Sequence, residues 1–364
     1  MCFRRNVNAM EQIPSISPRS NPQPLNIPWP TRAWPEATEK ASPEFCAVAD
    51  RAFLDPSLAE TRSLVVIQGG ELIYERYAGS IPFFDREPVT VDASTTQISW
   101  SMAKSMTQFL VGVLSDRGFL DVDTPAPISE WSADARKEIT IRDLLAMRDG
   151  LDFVEEYLPD RPSDVIEMLF GLGQSDVAQY AISRPLRHSP GTHWNYSSGT
   201  TNIICRILGD IVGDGEAFAS LITSALFRPI GMDSATAKFD ARGTFVGSSY
   251  VYATARDFAK FGYLYLRGGE WDGLQLIQSK WVDEAQCPLS ADEESGTFYS
   301  QQWWVTADEF GSYWANGFEG QSITVVPGLD AVVVRLGKTD ASHYPQLRAW
   351  RQDLLRSLSE SLPN

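Results

Sequence analysis

Apolar residues recur at helical spacing along Met106-Thr107-Gln108-Phe109-Leu110-Val111-Gly112-Val113-Leu114, which predicts a helix ending at Gly118. The turn-forming run Asp92-Ala93-Ser94-Thr95-Thr96-Gln97-Ile98 precedes it, so Ser101 is expected to open that helix. Ser63-Leu64-Val65-Val66-Ile67-Gln68 and Glu71-Leu72-Ile73-Tyr74-Glu75-Arg76-Tyr77 are two apolar-rich runs of strand length. Gly69-Gly70 between them supplies the positive φ of a two-residue turn, and the pair reads as a hairpin. Before it, Phe45, Val48, Ala49 and Phe53 mark a helical stripe from Pro43 to Leu54.

The middle of the chain is helical in pattern. Thr140 with Asp143 three residues on is a capping signal for a helix that stops before Asp149-Gly150. Further helices are expected over Ser163 to Gly171, Ser175 to Ser183, Thr200 to Val212, Gly215 to Leu226 and Thr254 to Leu266, the last ended by Gly268-Gly269. Strands return at Gln302 to Thr306, Gly311 to Ala315, Ser322 to Val326 and Ala331 to Leu336, and an amphipathic helix from Gln346 to Leu362 closes the chain. Two strand-rich ends around a helical middle predict an α+β fold: an antiparallel sheet flanked by helices, with a mostly helical lobe inserted. The expected division is an extended or partly disordered arm over 1–35, a sheet domain from 36–118 and 261–364, and a helical domain over 119–260.

Charge narrows the function. The 364 residues carry a net charge of -16, which argues against nucleic acid or an anionic membrane as partner. Cys2, Cys46, Cys205 and Cys287 are scattered without CxxC spacing and read as reduced thiols, with no metal site. Arg4 and Arg5 are followed by Asn, Gln, Ser and Pro where a signal peptide needs an apolar run, so a cytoplasmic location is expected. Oligomeric state is not legible.

Against that background one short stretch stands out, Trp100-Ser101-Met102-Ala103-Lys104-Ser105. Residues three apart share a helix face, so the Lys104 ammonium can reach the Ser101 hydroxyl. A serine becomes a nucleophile when a base takes its proton, and a lysine can do so where burial and a helix N-terminus depress its pKa. The competing reading is a surface Ser and Lys on an ordinary helix. No other lysine has a serine three residues before it, and the apolar flanks of Lys104 fit a solvated face poorly. Tyr196, in the loop Trp194-Asn195-Tyr196-Ser197-Ser198-Gly199 after Ser189-Pro190-Gly191, is either a packed aromatic or a proton donor to a leaving group. In Gly317-Phe318-Glu319-Gly320-Gln321 the glycines let the backbone turn sharply, as in a plain hairpin turn or to present an N–H that joins that of Ser101 in an oxyanion hole.

Taken in order, these elements, with Pro229-Ile230-Gly231-Met232 and Thr254-Ala255-Arg256-Asp257, resemble the serine hydrolases that share the class C β-lactamase and DD-peptidase fold, over roughly Leu64 to Leu336. Within that fold the chain is most similar to the 6-aminohexanoate-dimer (nylon-oligomer) hydrolases and related carboxylesterases. The resemblance implies hydrolysis of a small amide or ester without a cofactor: Ser101 acylated, Lys104 its base, Tyr196 the leaving-group acid, and Ser101 and Phe318 the oxyanion N–H donors. It also makes Tyr157, in Phe153-Val154-Glu155-Glu156-Tyr157, a residue that closes over substrate, with Gly317 and Glu319 as further substrate contacts.

Two departures carry information. Ser198 stands where β-lactamases and penicillin-binding proteins keep Asn in the second motif, and Ala315-Asn316-Gly317 stands for their Lys-Thr-Gly, so no cation meets a substrate carboxylate there. Lys338-Thr339 imitates the third motif but lies one strand too late. The rival functions are a β-lactamase or DD-peptidase, a non-catalytic ligand-binding protein on the same fold, and a Ser-His-Asp enzyme using His188 or His193. The last lacks a G-x-S-x-G elbow.

Overall fold

The computed structural model describes residues 13–83, 85–156 and 162–360. Helix α1 (Pro43–Leu54) is capped by the Ser42 hydroxyl, which accepts from Phe45 N–H at 3.1 Å. The hairpin forms as patterned, β1 (Glu60–Gln68) against β2 (Glu71–Tyr77), with Gly69 and Gly70 both at positive φ. Helix α2 (Ala103–Asp116) follows a single 3₁₀ turn, Trp100–Met102, that contains Ser101.

Six more strands complete the sheet: β3 (Ser290–Asp292), β4 (Thr297–Tyr299), β5 (Trp304–Val305), β6 (Tyr313–Gly317), β7 (Gln321–Val326) and β8 (Ala331–Lys338). Their spatial order is β3-β4-β5-β6-β7-β8-β1-β2, antiparallel throughout, so β8 joins the C-terminal strands to the N-terminal hairpin. The fold is α+β. One face is covered by α1 and the closing helix α10 (Tyr344–Glu360), where Phe45, Val66, Val333, Trp350 and Leu354 form one apolar cluster. The other packs on α2 and α8 (Ala255–Leu266), where a larger cluster runs without a break from Val334 and Ile323 into the helical middle. The boundary expected at residue 260 falls inside α8, which lies on the sheet along β1, β7 and β8.

The helical middle contains α3 (Ile141–Leu145), with the capping box Thr140 and Asp143 formed, then α4 (Asp164–Phe170), α5 (Val177–Ile182), α6 (Ser198–Val212) and α7 (Glu216–Ile222). Helix α6 starts two residues earlier than its apolar pattern, because the Ser197 hydroxyl caps it by accepting from Thr200 N–H at 3.0 Å. Helix α7 is shorter than expected and continues as one wide turn over Thr223–Phe227.

Helix α9 (Ser279–Gln286), β3 and β4 have no counterpart in the expected elements. The strand expected over 302–306 contracts to Trp304–Val305, because Gln302 adopts a positive φ of 61°. That turn frees its side chain to accept from Thr201 Oγ1 at 2.8 Å and donate to Leu145 O at 3.0 Å, and its carbonyl accepts from Ser105 at 2.7 Å. One buried glutamine thus ties together α2, α3 and α6.

The described part of the arm, 13–35, lies on the body. Asn21 N–H donates to Leu266 O at 2.9 Å, Trp34 Nε1 donates to Arg256 O at 3.0 Å, and Trp29 packs on Tyr263 and Trp271. Among the described residues no helix is long and apolar enough to cross a membrane, and no His, Cys, Asp and Glu cluster is arranged to hold a metal ion. Cys46, Cys205 and Cys287 are unbridged.

Candidate active site

Ser101 sits where the sheet meets the helical middle. The residue before it, Trp100, has a φ of 45°, costly for a bulky side chain. Ser99 holds that strained turn: its N–H donates to Val251 O at 2.8 Å, while its fully buried hydroxyl accepts from Val251 N–H at 3.1 Å and reaches Trp100 O at 2.9 Å. Its carbonyl is approached by β6, where a Cβ on Gly317 would lie 2.4 Å from Ser99 O. Only glycine lets the strand end come this close. The Phe318 ring then stands edge-on to Trp100 at 5.8 Å, which brings the turn after β6 beside Ser101.

Lys104 is 1% exposed. Its Nζ donates to Ser101 Oγ at 2.9 Å, Ser198 Oγ at 2.9 Å and Ser248 O at 3.0 Å. Burial pushes its pKa down to about 8, while the charge of Glu155 and, less strongly, Cys205 works the other way. A buried amine that can be neutral near pH 8 and touches a serine hydroxyl can act as a base. The surface-helix reading of S-x-x-K does not fit this burial.

Tyr196 packs between Tyr299 and Trp304, with ring centroids 5.7 and 5.5 Å away, and Lys104 Nζ lies 4.9 Å from its own ring centroid. Burial, aided by the Glu155 charge, raises its pKa well above that of a free phenol, and interaction with the Ser101 hydroxyl opposes this. The phenol is therefore protonated at neutral pH and lies next to the serine. Its loop is held by Asn195, whose N–H donates to Met147 O at 2.9 Å and whose Nδ2 donates to Phe153 O at 3.0 Å.

Ser198, in the place of the missing Asn, links the lysine to a residue whose role is not legible from the motif. Its hydroxyl donates to Glu155 Oε1 at 2.6 Å and its backbone N–H to Glu155 Oε2 at 2.7 Å. Glu155 thus caps the start of α6 and faces Lys104 through one hydroxyl. Ser248 and Ser249 are a second addition, from a loop with no sequence signal beyond its small residues; Ser248 N–H donates to Asn202 Oδ1 at 3.2 Å.

The cleft above these groups has a volume of about 810 Å³. Trp304, Trp314 and Phe318 line one side and Val165, Ile166, Leu169 and Phe170 of α4 another, with Glu155, Glu156, Asp292 and Glu294 as acidic members. Gly317 lines it. Glu319 does not: its backbone N–H donates to Tyr344 Oη at 3.2 Å and its carbonyl accepts from Arg335 at 3.1 Å. Tyr157 lies outside the described residues. Ala315 is buried in the core behind the cleft, and Lys338 is exposed at the end of β8. His188 and His193 stack on each other at 4.0 Å, and the nitrogen that meets Ser101 Oγ is that of Lys104.

Comparison with known proteins gives the same picture of the fold. The profile of the family described as Beta-lactamase matches residues 52–357. A 6-aminohexanoate-dimer hydrolase from Paenarthrobacter ureafaciens is 26% identical over 313 residues, 79% of this chain and 76% of that protein. A Bacillus anthracis structure provisionally assigned as a 6-aminohexanoate-dimer hydrolase superposes with a TM-score of 0.70 at 21% identity, covering 99% of this chain and 95% of that one. A family VIII carboxylesterase superposes with a TM-score of 0.67 at 16% identity, over 88% of this chain and 98% of its own.

Proposed function

The chain belongs to the beta-lactamase family of serine hydrolases, and from that premise we propose that it cleaves small amides or carboxylic esters through an acyl-enzyme on Ser101. The observation that carries this reading is the buried Lys104 Nζ at 2.9 Å from Ser101 Oγ. Neutral Lys104 takes the hydroxyl proton as Oγ attacks the carbonyl carbon. The backbone N–H groups of Ser101 and Phe318 receive the oxyanion that forms. As the intermediate collapses, the Tyr196 phenol gives its proton to the departing nitrogen or oxygen, and the Lys104 proton restores the phenol. Water then repeats the sequence on the acyl-enzyme, with the same groups moving its protons, and releases the acid.

The aromatic wall of Trp304, Trp314 and Phe318 fits an apolar chain flanking the cleaved bond. The buried methyl of Ala315 supplies no cation for a β-lactam carboxylate, so penicillins and cephalosporins are expected to be poor substrates. The test is labelling with a fluorophosphonate together with a panel of nitrophenyl esters, linear amides and one cephalosporin. Wild-type protein should label and turn over esters or amides, and Ser101→Ala should lose both, with a rate loss of up to about six decades. Turnover by Ser101→Ala at near wild-type rate would remove Ser101 from the mechanism.

A further inference from the structure

The sheet face covered by α10 is not filled at one end. Ser312 and Trp314 are two residues apart on one strand line and Thr324 is the cross-strand partner of Trp314, so all three project toward α10. Between them and the helix lies a cavity of about 280 Å³ that Arg348 and Arg351 also line. Ser312 is 2% and Thr324 1% exposed, and neither side-chain oxygen has a hydrogen-bond partner. Buried hydroxyls are ordinarily satisfied, so two orphans on one cavity wall point to a missing ligand.

The charges agree. The Arg351 guanidinium lies 4.4 Å over the Trp314 ring, and among the described residues neither Arg348 nor Arg351 is paired with a carboxylate. Burial first, and then the like charge of Arg348, pushes the Arg351 pKa down to about 10, with Asp308 opposing. Asp308, the carboxylate on this wall, accepts from the backbone N–H groups of Phe310 at 3.1 Å and Ser312 at 2.9 Å. Two cations that repel each other and two unused hydroxyl donors would all be relieved by one oxyanion, which a guanidinium binds in a two-pronged geometry.

Arg348, Arg351 and Trp314 line the catalytic cleft as well, so the cavity is its far end. From Gly317, beside the Ser101 turn, to Ser312 is five residues of extended chain, about 16 Å at about 3.3 Å per residue. We propose that this cavity is an oxyanion subsite that holds the terminal carboxylate of an elongated substrate, roughly ten to fifteen bonds from the bond cleaved at Ser101. The substrate half of this statement rests on the hydrolase reading above; the anion site does not.

Two measurements separate them. In calorimetry on the Ser101→Ala protein, dodecanedioate should bind at least tenfold more tightly than its dimethyl ester, and Arg351→Gln should erase that difference. Thr324→Val, which keeps the side-chain shape, should weaken dodecanedioate binding several-fold while leaving the ligand-free melting temperature unchanged or higher. In kinetics, long-chain esters with a free terminal carboxylate on the acyl or on the alcohol side are compared with their methyl-capped forms. One of the two acids should be favoured at least tenfold in kcat/KM, through KM, and Arg351→Gln should abolish the preference. Diacid binding with no ester turnover would leave the subsite standing and defeat the hydrolase reading. Equal binding of diacid and dimethyl ester, a preference that survives Arg351→Gln, or binding of inorganic phosphate that dodecanedioate does not displace would each overturn the proposal, the last by making this a site for a free anion.

Discussion

Lys104 explains why a spacing of three residues is not yet a site. Its nitrogen is placed by Ser101 from its own helix turn, but also by Ser198 and Ser248, 94 and 144 residues away in the chain. With a pKa near 8, about a tenth of it is neutral at pH 7 and about nine-tenths at pH 9, so kcat/KM should rise about tenfold across that window and level off above it. Glu155 holds the ammonium form in place. Glu155→Gln removes a charge that raises the Lys104 pKa, so the acid limb of the profile should move to lower pH; a limb that stayed put or moved upward would detach Glu155 from the lysine. Tyr196 is tested by leaving group. Its raised pKa keeps the phenol protonated, which suits an acid. Tyr196→Phe should slow a linear amide by about two to four decades and a nitrophenyl ester much less, because nitrophenolate leaves unaided. Equal slowing of the two would mean that the hydroxyl serves Ser101 or Lys104 instead.

At the scale of elements, close packing joins α8 to the sheet. Helix α8 meets the sheet through Gly262, where an added Cβ would lie 2.7 Å from Ile323 Cγ2 and 2.7 Å from Val332 Cγ1. Gly262→Ala improves helix propensity by about 1 kcal/mol but forces this contact apart, and overpacking of this kind costs about 1 to 3 kcal/mol. The expected outcome is a lower denaturation midpoint, read by urea titration; a midpoint above wild type would show that the sheet yields at this point. The β1-β2 hairpin, with its apolar runs around Gly69-Gly70, and the periodic helices α2 and α8 are legible because propensity, pattern and turn residues agree. Strands β3 and β4 are not, being three residues each with Asp, Ser and Thr among them, and they exist only because β5 offers an edge to pair with. Gln302 shows the opposite case: a stretch patterned as strand is bent by a positive φ, and in that turn its side chain bonds α3 and α6 while its backbone carbonyl bonds α2.

For the whole molecule, the described part of the arm, 13–35, belongs to the folded body. Trp34 is 4% exposed, edge-on to Tyr263 at 5.3 Å, and hydrogen-bonded to Arg256 O. Trp34→Ala leaves a cavity under the arm and should cost about 3 to 5 kcal/mol, seen as a large fall in urea midpoint. A near wild-type midpoint would mean that the arm contributes little to the fold.

What the chain determined by itself was local or periodic. The hairpin at Gly69-Gly70, the cap at Thr140, the helix carrying Lys104 three residues after Ser101, and the Gly317 turn all follow from residues within a few positions of one another, where sterics and spacing act directly. The α+β arrangement followed from strands at both ends of the chain. Long-range contact decided the rest: that Lys104 is buried, that Ser198 and Glu155 stand behind it, that Ser99 holds Trp100 in a strained turn, and that Arg348 and Arg351 face two orphaned hydroxyls across the α10 cavity. A pKa and an unpaired donor are properties of surroundings, and surroundings assembled from segments far apart in the chain leave no mark in the spacing of any one of them.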